Sequence, residues 1–168
     1  MTKLTTVLKQ KLENARKVAI LGVGSELRSD DAAGVLAAQQ IKKISRPKKK
    51  SAPQVKVFIG ETAPENLTGE IKKFEPSHLI IIDSADINTK PGQIKIINPE
   101  KVAGTSFCTH SLPIKVMIDY LRQSSPNLKV IVIGIQPQTI VVGSNVSKEV
   151  SQAVEELTAT IINLLKKD

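Results

Sequence analysis

Aromatic residues and cysteine are nearly absent from this chain of 168 residues. It has no tryptophan, one tyrosine and three phenylalanines, so the stacking platforms that bind single-stranded nucleic acid are scarce. The single cysteine, Cys108, cannot form an internal disulfide. No run approaches the roughly 18 apolar residues of a membrane span, and the charged N-terminus lacks the apolar core of a signal peptide. We therefore expect a cytoplasmic protein without membrane insertion.

The overall composition is that of a globular protein. Hydrophobic residues make up 40% of the chain and charged residues 24%, and the length fits one domain over residues 1–168. The net charge is +8, partly from a lysine-rich segment at 42–50, which suggests either a solvated loop or a patch for an acidic partner. No nucleic-acid-binding signature accompanies it, so we favour the solvated loop and expect no nucleic acid partner. With no large apolar stripe left unexplained, a monomer is expected.

Hydrophobic patterning predicts strands that alternate with helices. Runs rich in Val and Ile, typical of buried strands, lie at 17–24, 55–60, 78–86 and 128–137, and a more exposed alternating strand lies at 92–97. An N-terminal extension (1–15) has helical spacing, and further helices are predicted after Asp30 or Asp31, either of which can cap the helix, and over 64–74, 113–123 and 147–166.

These elements predict a three-layer α/β/α sandwich with a mostly parallel sheet of about five strands. The strand at 92–97 follows the strand at 78–86 after a short loop. Because a parallel return needs a dozen or more residues, this spacing favours an antiparallel pair between the two. Residues 98–112 are predicted to form a long irregular loop.

Ligands of such sheets bind at the carboxyl ends of the strands, where this chain has polar clusters at 25–31, 83–86 and 136–138. Asp83 ends a run of four aliphatic residues, and a carboxylate at the tip of a buried strand needs a compensating donor or a metal. A helix cap or a salt bridge is the structural alternative. Asp86 is interpreted as turn-forming.

The first cluster lies in GVGSELRSDDAAG (22–34) and resembles a dinucleotide-binding loop only superficially. Leu27 occupies the third glycine position of the G-x-G-x-x-G fingerprint. Glu26, Asp30 and Asp31 also place negative charge where a pyrophosphate would lie. No nucleotide cofactor is therefore expected, and the acidic loop suits a cation better.

His110, in the loop segment CTHSLP (108–113), is one of two histidines; the other, His78, starts a strand at the opposite edge and is interpreted as structural. A lone loop histidine is more often a surface residue than a ligand, unless Asp31 and Asp83 converge on it. Two carboxylates and one imidazole would suit nickel, zinc, cobalt or non-haem iron. Spacing alone does not choose among these metals.

Other routes to hydrolysis lack their motifs. The chain has no H-E-x-x-H sequence of a zincin, and no G-x-S-x-G elbow surrounds Ser25. Ser29 and Ser111 are likewise disfavoured as nucleophiles. Cys108 lies two residues from His110, and we interpret it as a resting thiol rather than a nucleophile.

Six ordered segments resemble the hydrogenase maturation endopeptidases, specifically the HycI type. They are AILGVGSELRSDDAAG (19–34), ETAPEN (61–66), LIIIDSAD (79–86), PGQIKII (91–97), THSLP (109–113) and VIVIGIQP (130–137). ETAPEN and GIQP point to the HycI branch in particular. The N-terminal helix and the lysine-rich segment lie outside this resemblance.

The resemblance implies an endopeptidase that removes the C-terminal extension of a [NiFe]-hydrogenase large-subunit precursor after nickel insertion. It implies that Asp31, Asp83 and His110 bind the metal, and that nickel is delivered with the substrate rather than held as a resident cofactor. Asp31 and Asp83 are also the candidate catalytic residues, because an acidic pair can serve as general base. Glu61 and Thr62 are candidates for lining the substrate groove. A non-catalytic chaperone that binds the nickel site of the precursor is the alternative.

Overall fold

The structure is a computed structural model that describes residues 2–44, 52–100, 106–107 and 114–166. Its strands are β1 (Lys17–Val23), β2 (Gln54–Glu61), β3 (His78–Asp86), β4 (Ile94–Ile97), β5 (Ser106–Phe107) and β6 (Lys129–Ile135). Its helices are α1 (Lys3–Lys11), α2 (Ala33–Ile44), α3 (Thr68–Phe74), α4 (Ile114–Ser124) and α5 (Lys148–Lys166). Short 3-10 turns, Ser29–Ala32 and Pro64–Leu67, lead directly into α2 and α3.

The sheet has the strand order β2-β1-β3-β6-β4. Strands β2, β1, β3 and β6 are parallel, and β4 is antiparallel to β6. The predicted α/β class, with a mostly parallel sheet of about five strands and one antiparallel strand, is confirmed. The short strand β5 adds an antiparallel pairing on Ala85 and Asp86 of β3, within the stretch that the sequence predicted as a long irregular loop.

The predicted partner of β4 is wrong, because β6 lies between β3 and β4. The link over 87–93 therefore spans two strand spacings, about 10 Å, and crosses the carboxyl end of β6. Gln136 holds this link, since its side-chain oxygen accepts hydrogen bonds from the amides of Ile87 (2.9 Å) and Thr89 (3.3 Å). The length of the loop correctly predicted the direction of β4, but it did not predict the strand with which β4 pairs.

Both faces of the sheet are covered, which explains the continuous aliphatic runs of its central strands. Along β3, Ile80 and Ile82 pack into a core with α2 and α5, while Leu79 and Ile81 pack into a second core with α3 and α4. Helix α1 extends the first core through the fully buried Leu8.

Only the first part of the lysine-rich segment lies within the described residues. Lys42 and Lys43 belong to the last turn of α2, and the remainder of the lysine-rich segment lies outside the described residues. In the part of the chain that the structure describes, no helix is both long enough and apolar enough to span a bilayer.

Candidate active site

Two glycines place the Asp31 loop directly on the ends of β1 and β3. Gly24 has φ +132°, and a Cβ there would lie 1.8 Å from the carbonyl oxygen of Asp31. A Cβ on Gly34 would lie 2.1 Å from the Ile82 carbonyl oxygen and 2.3 Å from that of Val23. Only residues without a side chain allow this approach, so the start of α2 sits against the carboxyl edge of the sheet.

Asp31 and Asp83 both lie at this edge and are fully buried. Asp83 follows Ile82 in β3. The Ile82 carbonyl packs closely against Gly34, and Gly34 lies three residues after Asp31 in the chain. The Asp31 Oδ2 atom accepts a hydrogen bond from the Ser25 amide at 3.1 Å. The structure thus brings both predicted carboxylates to the ends of neighbouring parallel strands. Their roles as metal ligands or catalytic groups remain predictions.

Asp30 is also fully buried, but it has a structural role that the sequence did not reveal. Its carboxylate accepts hydrogen bonds from the Ser147 amide (2.7 Å), the Ser147 hydroxyl (3.0 Å) and the amides of Gln138 (2.8 Å) and Thr139 (3.1 Å). Asp30 therefore ties the loop between β6 and α5 to the loop after β1. Of the two residues predicted as possible caps of α2, Asp30 does not act as one, because its carboxylate accepts from the other loop.

Asp86 lies further along the same edge and is exposed. Its Oδ1 atom accepts hydrogen bonds from the Asn88 amide (3.2 Å) and from the Gln136 side-chain nitrogen (3.3 Å). A carboxylate that bonds the amide two residues on forms an Asx turn. The turn-forming interpretation of Asp86 is confirmed.

Glu61 and Thr62 are exposed at the end of β2. Glu61 has φ +46°, and its carbonyl accepts a hydrogen bond from the Gly24 amide at 2.9 Å. This contact places the two residues beside the Asp31 loop, on the edge that carries the carboxylates. Glu65 follows in the next 3-10 turn and buries one carboxylate oxygen.

His110, Cys108 and Ser111 lie outside the described residues. Among the described residues alone, no three carboxylate, imidazole or thiol groups are close enough to hold a metal ion together. The described element that precedes these residues in the chain is β5. Its Phe107 pairs with Ala85, which lies two residues beyond Asp83 in β3.

Ion pairs connect Glu100, which follows β4, to helix α4. Glu100 forms ion pairs with Arg122 (2.5 Å) and Lys115 (3.3 Å) of α4. Hydrogen bonds from Arg122 and then Lys115 lower the pKa of the Glu100 carboxyl. The hydrogen bond to Asp119 is the main cause that raises the pKa of Lys115. Glu100 and Asp119 are exposed while Lys115 and Arg122 are partly exposed, so solvent screens the pairs.

A family model described as HycI, hydrogenase maturation protease, matches residues 35–164. The chain belongs to this family. A protein of Methanocaldococcus jannaschii named as a hydrogenase maturation protease is 31% identical over 163 residues, which cover 96% of this chain and 95% of that protein. The hydrogenase 3 maturation protease of Escherichia coli is 34% identical over 137 residues, covering 81% and 83%.

Solved structures of the family share the fold. The [NiFe] hydrogenase maturation protease HycI of Thermococcus kodakarensis has a TM-score of 0.86 and 27% identity, over 96% of this chain and 99% of that one. The endopeptidase HycI of Escherichia coli has a TM-score of 0.73 and 29% identity, over 88% and 90%. The chain is accordingly a hydrolase of the maturation protease family, as the sequence predicted.

His78 lies at the opposite, amino end of the sheet and is 2% exposed. Its Nδ1 atom is 2.9 Å from the Ser77 hydroxyl. Burial, and then the positive charge of Lys129, lower the pKa of His78 below its usual 6.5, against a smaller opposite effect of the Lys11 carbonyl. The structural interpretation of this histidine agrees with its distance from the carboxyl edge.

Within a peptidase, a pair of buried carboxylates at one edge can do two kinds of chemistry. Carboxylate oxygens bind divalent metals and leave further coordination positions for substrate or water. A carboxylate can also accept a proton from a water that attacks a carbonyl carbon. For Asp31 and Asp83, both uses are predictions from the sequence.

Proposed function

We propose that this protein removes the C-terminal extension of a [NiFe]-hydrogenase large-subunit precursor after nickel insertion. The observation that carries the proposal is the pair of fully buried carboxylates, Asp31 and Asp83, at the carboxyl edge of the sheet in a chain of the hydrogenase maturation protease family. In this proposal the enzyme acts as a monomer, and the reaction takes place in the cytoplasm.

Nickel in the precursor is the feature that the two carboxylates recognise. Carboxylate oxygens are ligands for divalent cations, and a substrate-borne nickel ion would bring a positive charge to the edge where both carboxylates lie. Nickel accepts oxygen and imidazole ligands, so the set is Asp31, Asp83 and His110. The metal arrives with the substrate and leaves with the product.

The position of β5 supports the inclusion of His110. Phe107 pairs with Ala85, two residues beyond Asp83. His110 follows Phe107 by three residues, and three residues span at most about 10 Å. This length permits the imidazole to reach the edge that carries the carboxylates.

Nickel binding would hold the precursor so that the bond before its C-terminal extension lies over Asp31 and Asp83. Such positioning lowers the barrier by fixing the reacting groups in place, and a divalent cation can polarise the scissile carbonyl. An aspartate accepts a proton from the attacking water as the carbon–oxygen bond forms. The proton then passes to the leaving nitrogen as the carbon–nitrogen bond breaks, which gives a new carboxylate and a free amine.

Exposed Glu61 and Thr62 would line the path of the extension. They lie at the end of β2, and the Glu61 carbonyl bonds Gly24 next to the Asp31 loop. A peptide that crosses the carboxyl edge towards β2 meets these side chains after it passes the carboxylates.

Cleavage of the nickel-loaded precursor by site variants tests the assignment. We expect Asp31→Asn, Asp83→Asn and His110→Ala each to slow cleavage by at least about 100-fold, the scale of a lost general base or positioning group, with unchanged circular dichroism. Asp86→Asn is the matched control, because Asp86 is exposed on the same strand and the amide keeps the Oδ1 acceptor; it should cleave normally.

Two outcomes contradict the proposal. Normal processing by all three variants would remove these residues from the site. A wild-type protein that binds the loaded precursor tightly but leaves its tail intact would instead be a chaperone for the nickel site.

A further inference from the structure

Three aliphatic side chains are exposed beside the buried carboxylates. Leu27 exposes 75% of its surface, Val142 77% and Val141 46%. Leu27 lies in the loop that carries Asp31, and the two valines lie in the loop between β6 and α5. The Gly143 amide donates a hydrogen bond to the Leu27 carbonyl at 3.0 Å, so the two loops lie side by side. We call these three side chains the edge patch.

Partly buried hydrogen bonds fix the backbone of the two loops that carry the edge patch. The Ser29 hydroxyl donates to the Thr139 carbonyl at 2.9 Å and accepts from the Val141 amide at 3.0 Å. The Asp30 carboxylate holds both ends of the second loop, through Gln138 and Ser147. A surface that is already ordered loses little conformational entropy when a partner binds it.

Folding does not explain why this surface is apolar. Single exposed aliphatic residues are normal on proteins, but here three of them occupy two adjoining loops next to the candidate site. Clustered exposed apolar side chains mark interaction surfaces. The acidic residue next to Leu27 in the chain, Glu26, accepts a hydrogen bond from the Gln39 side chain at 2.9 Å.

We propose that the edge patch is a docking surface for an apolar segment of the hydrogenase large-subunit precursor. This inference rests on the proposed function and extends it to a contact outside the reacting groups. Leu27 and Asp31 lie in the same loop, so a protein whose tail reaches Asp31 would pass close to Leu27. The patch would anchor the body of the precursor while the carboxylates engage the nickel.

A second copy of this chain fits the edge patch less well. A stable interface buries about 800 Å² on each partner, far more than three aliphatic side chains offer. A copy bound here would also cover the edge that the precursor must reach. A transient enzyme–substrate contact suits the size and the position of the patch.

The test compares Leu27→Asn/Val142→Asn with the wild-type protein and with Ile44→Asn. Ile44 is 51% exposed and ends α2, at the opposite end of that helix from the site, so it controls for the loss of an exposed aliphatic side chain. Cleavage kinetics and the dissociation constant are measured with nickel-loaded precursor, the latter by biolayer interferometry.

We expect the double variant to raise KM and the dissociation constant about tenfold, the factor for losing one well-buried interface contact, with kcat unchanged. Ile44→Asn should match the wild-type protein in all three quantities. Unchanged KM and dissociation constant in the double variant would overturn the docking surface while leaving the proposed function intact.

Failure of the proposed function gives a different pattern. If the wild-type protein binds the precursor without cleaving it, weaker binding by the double variant alone would still support the docking surface. If light scattering shows a stable dimer that the double variant dissociates, the patch is a self-association surface and the inference is wrong.

Discussion

The two ends of the sheet both bury titratable side chains, but with different consequences. At the amino end, His78 lies beside the Ser77 hydroxyl, and burial lowers its pKa, so folding favours the neutral ring. At the carboxyl end, three acidic residues, Asp30, Asp31 and Asp83, are fully buried. Burying a neutral histidine costs little free energy. Burying several acids close together costs more, and such clusters are typical of functional sites.

The carboxyl end itself contains two kinds of acid. Asp30 binds four donors of the loop before α5, and this cross-link explains its burial. Asp31 is its neighbour in sequence, but it lies on the side of Ser25 and the strand ends. Asp30 therefore has a structural role, whereas the proposed role of the adjacent Asp31 is chemical.

The sharpest way to break this distinction is to compare Asp30→Ala with Asp31→Asn. Asp30→Ala leaves several donors without their acceptor, so we expect the free energy of unfolding to fall by about 4 kcal/mol. Asp31→Asn keeps the shape and an acceptor for the Ser25 amide, so stability should change little while cleavage falls at least about 100-fold. Urea titration and precursor cleavage measure the two effects. Equal loss of stability in both variants would erase the distinction.

Alanine substitutions at two glycines, one at the carboxyl edge and one away from it, test whether that edge depends on close packing. Gly34→Ala would place its Cβ 2.1 Å from the Ile82 carbonyl oxygen, so we expect a loss of about 3 kcal/mol from forced displacement of α2. Gly69→Ala, in α3, meets nothing within 4 Å and should stabilise by about 0.5–1 kcal/mol through helix propensity. Thermal denaturation checks both signs, and a Gly34→Ala variant as stable as the wild type would contradict this packing.

At the amino end, His78 predicts a smaller, pH-dependent effect. Because its folded-state pKa is below 6.5, the unfolded chain binds more protons as pH falls through that value, and stability declines. Above that range the contribution is complete. We expect His78→Gln to show a weaker loss of stability between pH 7.5 and 5.5 than the wild-type protein in urea titrations. An identical pH dependence of the two proteins would show that His78 does not titrate as described.

Local patterns predicted most of the elements of this fold. The aliphatic run that ends at Asp83 indicated a strand covered on both faces, and β3 has a core on each side. Pairing is a non-local property, however, and no pattern in the link at 87–93 could reveal that β6 lies beneath it. The same limit hid β5, whose two residues are defined only by their pairing with β3.

The candidate site was predictable in its placement and less so in its details. The topology of parallel strands brings Asp83 and the start of the loop that carries Asp31 to one edge. The role of Asp30 depends on donors more than 100 residues away in the chain, which no local signal encodes. The exposure of Val141 and Val142 also depends on tertiary structure, because a loop of apolar residues can as well be buried.

The most direct test asks whether cleavage requires nickel in the precursor, and it compares two forms of that substrate. The wild-type protein is incubated with nickel-loaded and with nickel-free large-subunit precursor, and intact mass is recorded for both. We predict loss of a C-terminal peptide from the nickel-loaded form only. Cleavage of both forms would contradict recognition of substrate-borne nickel, and cleavage of neither, with loading verified, would contradict the protease assignment.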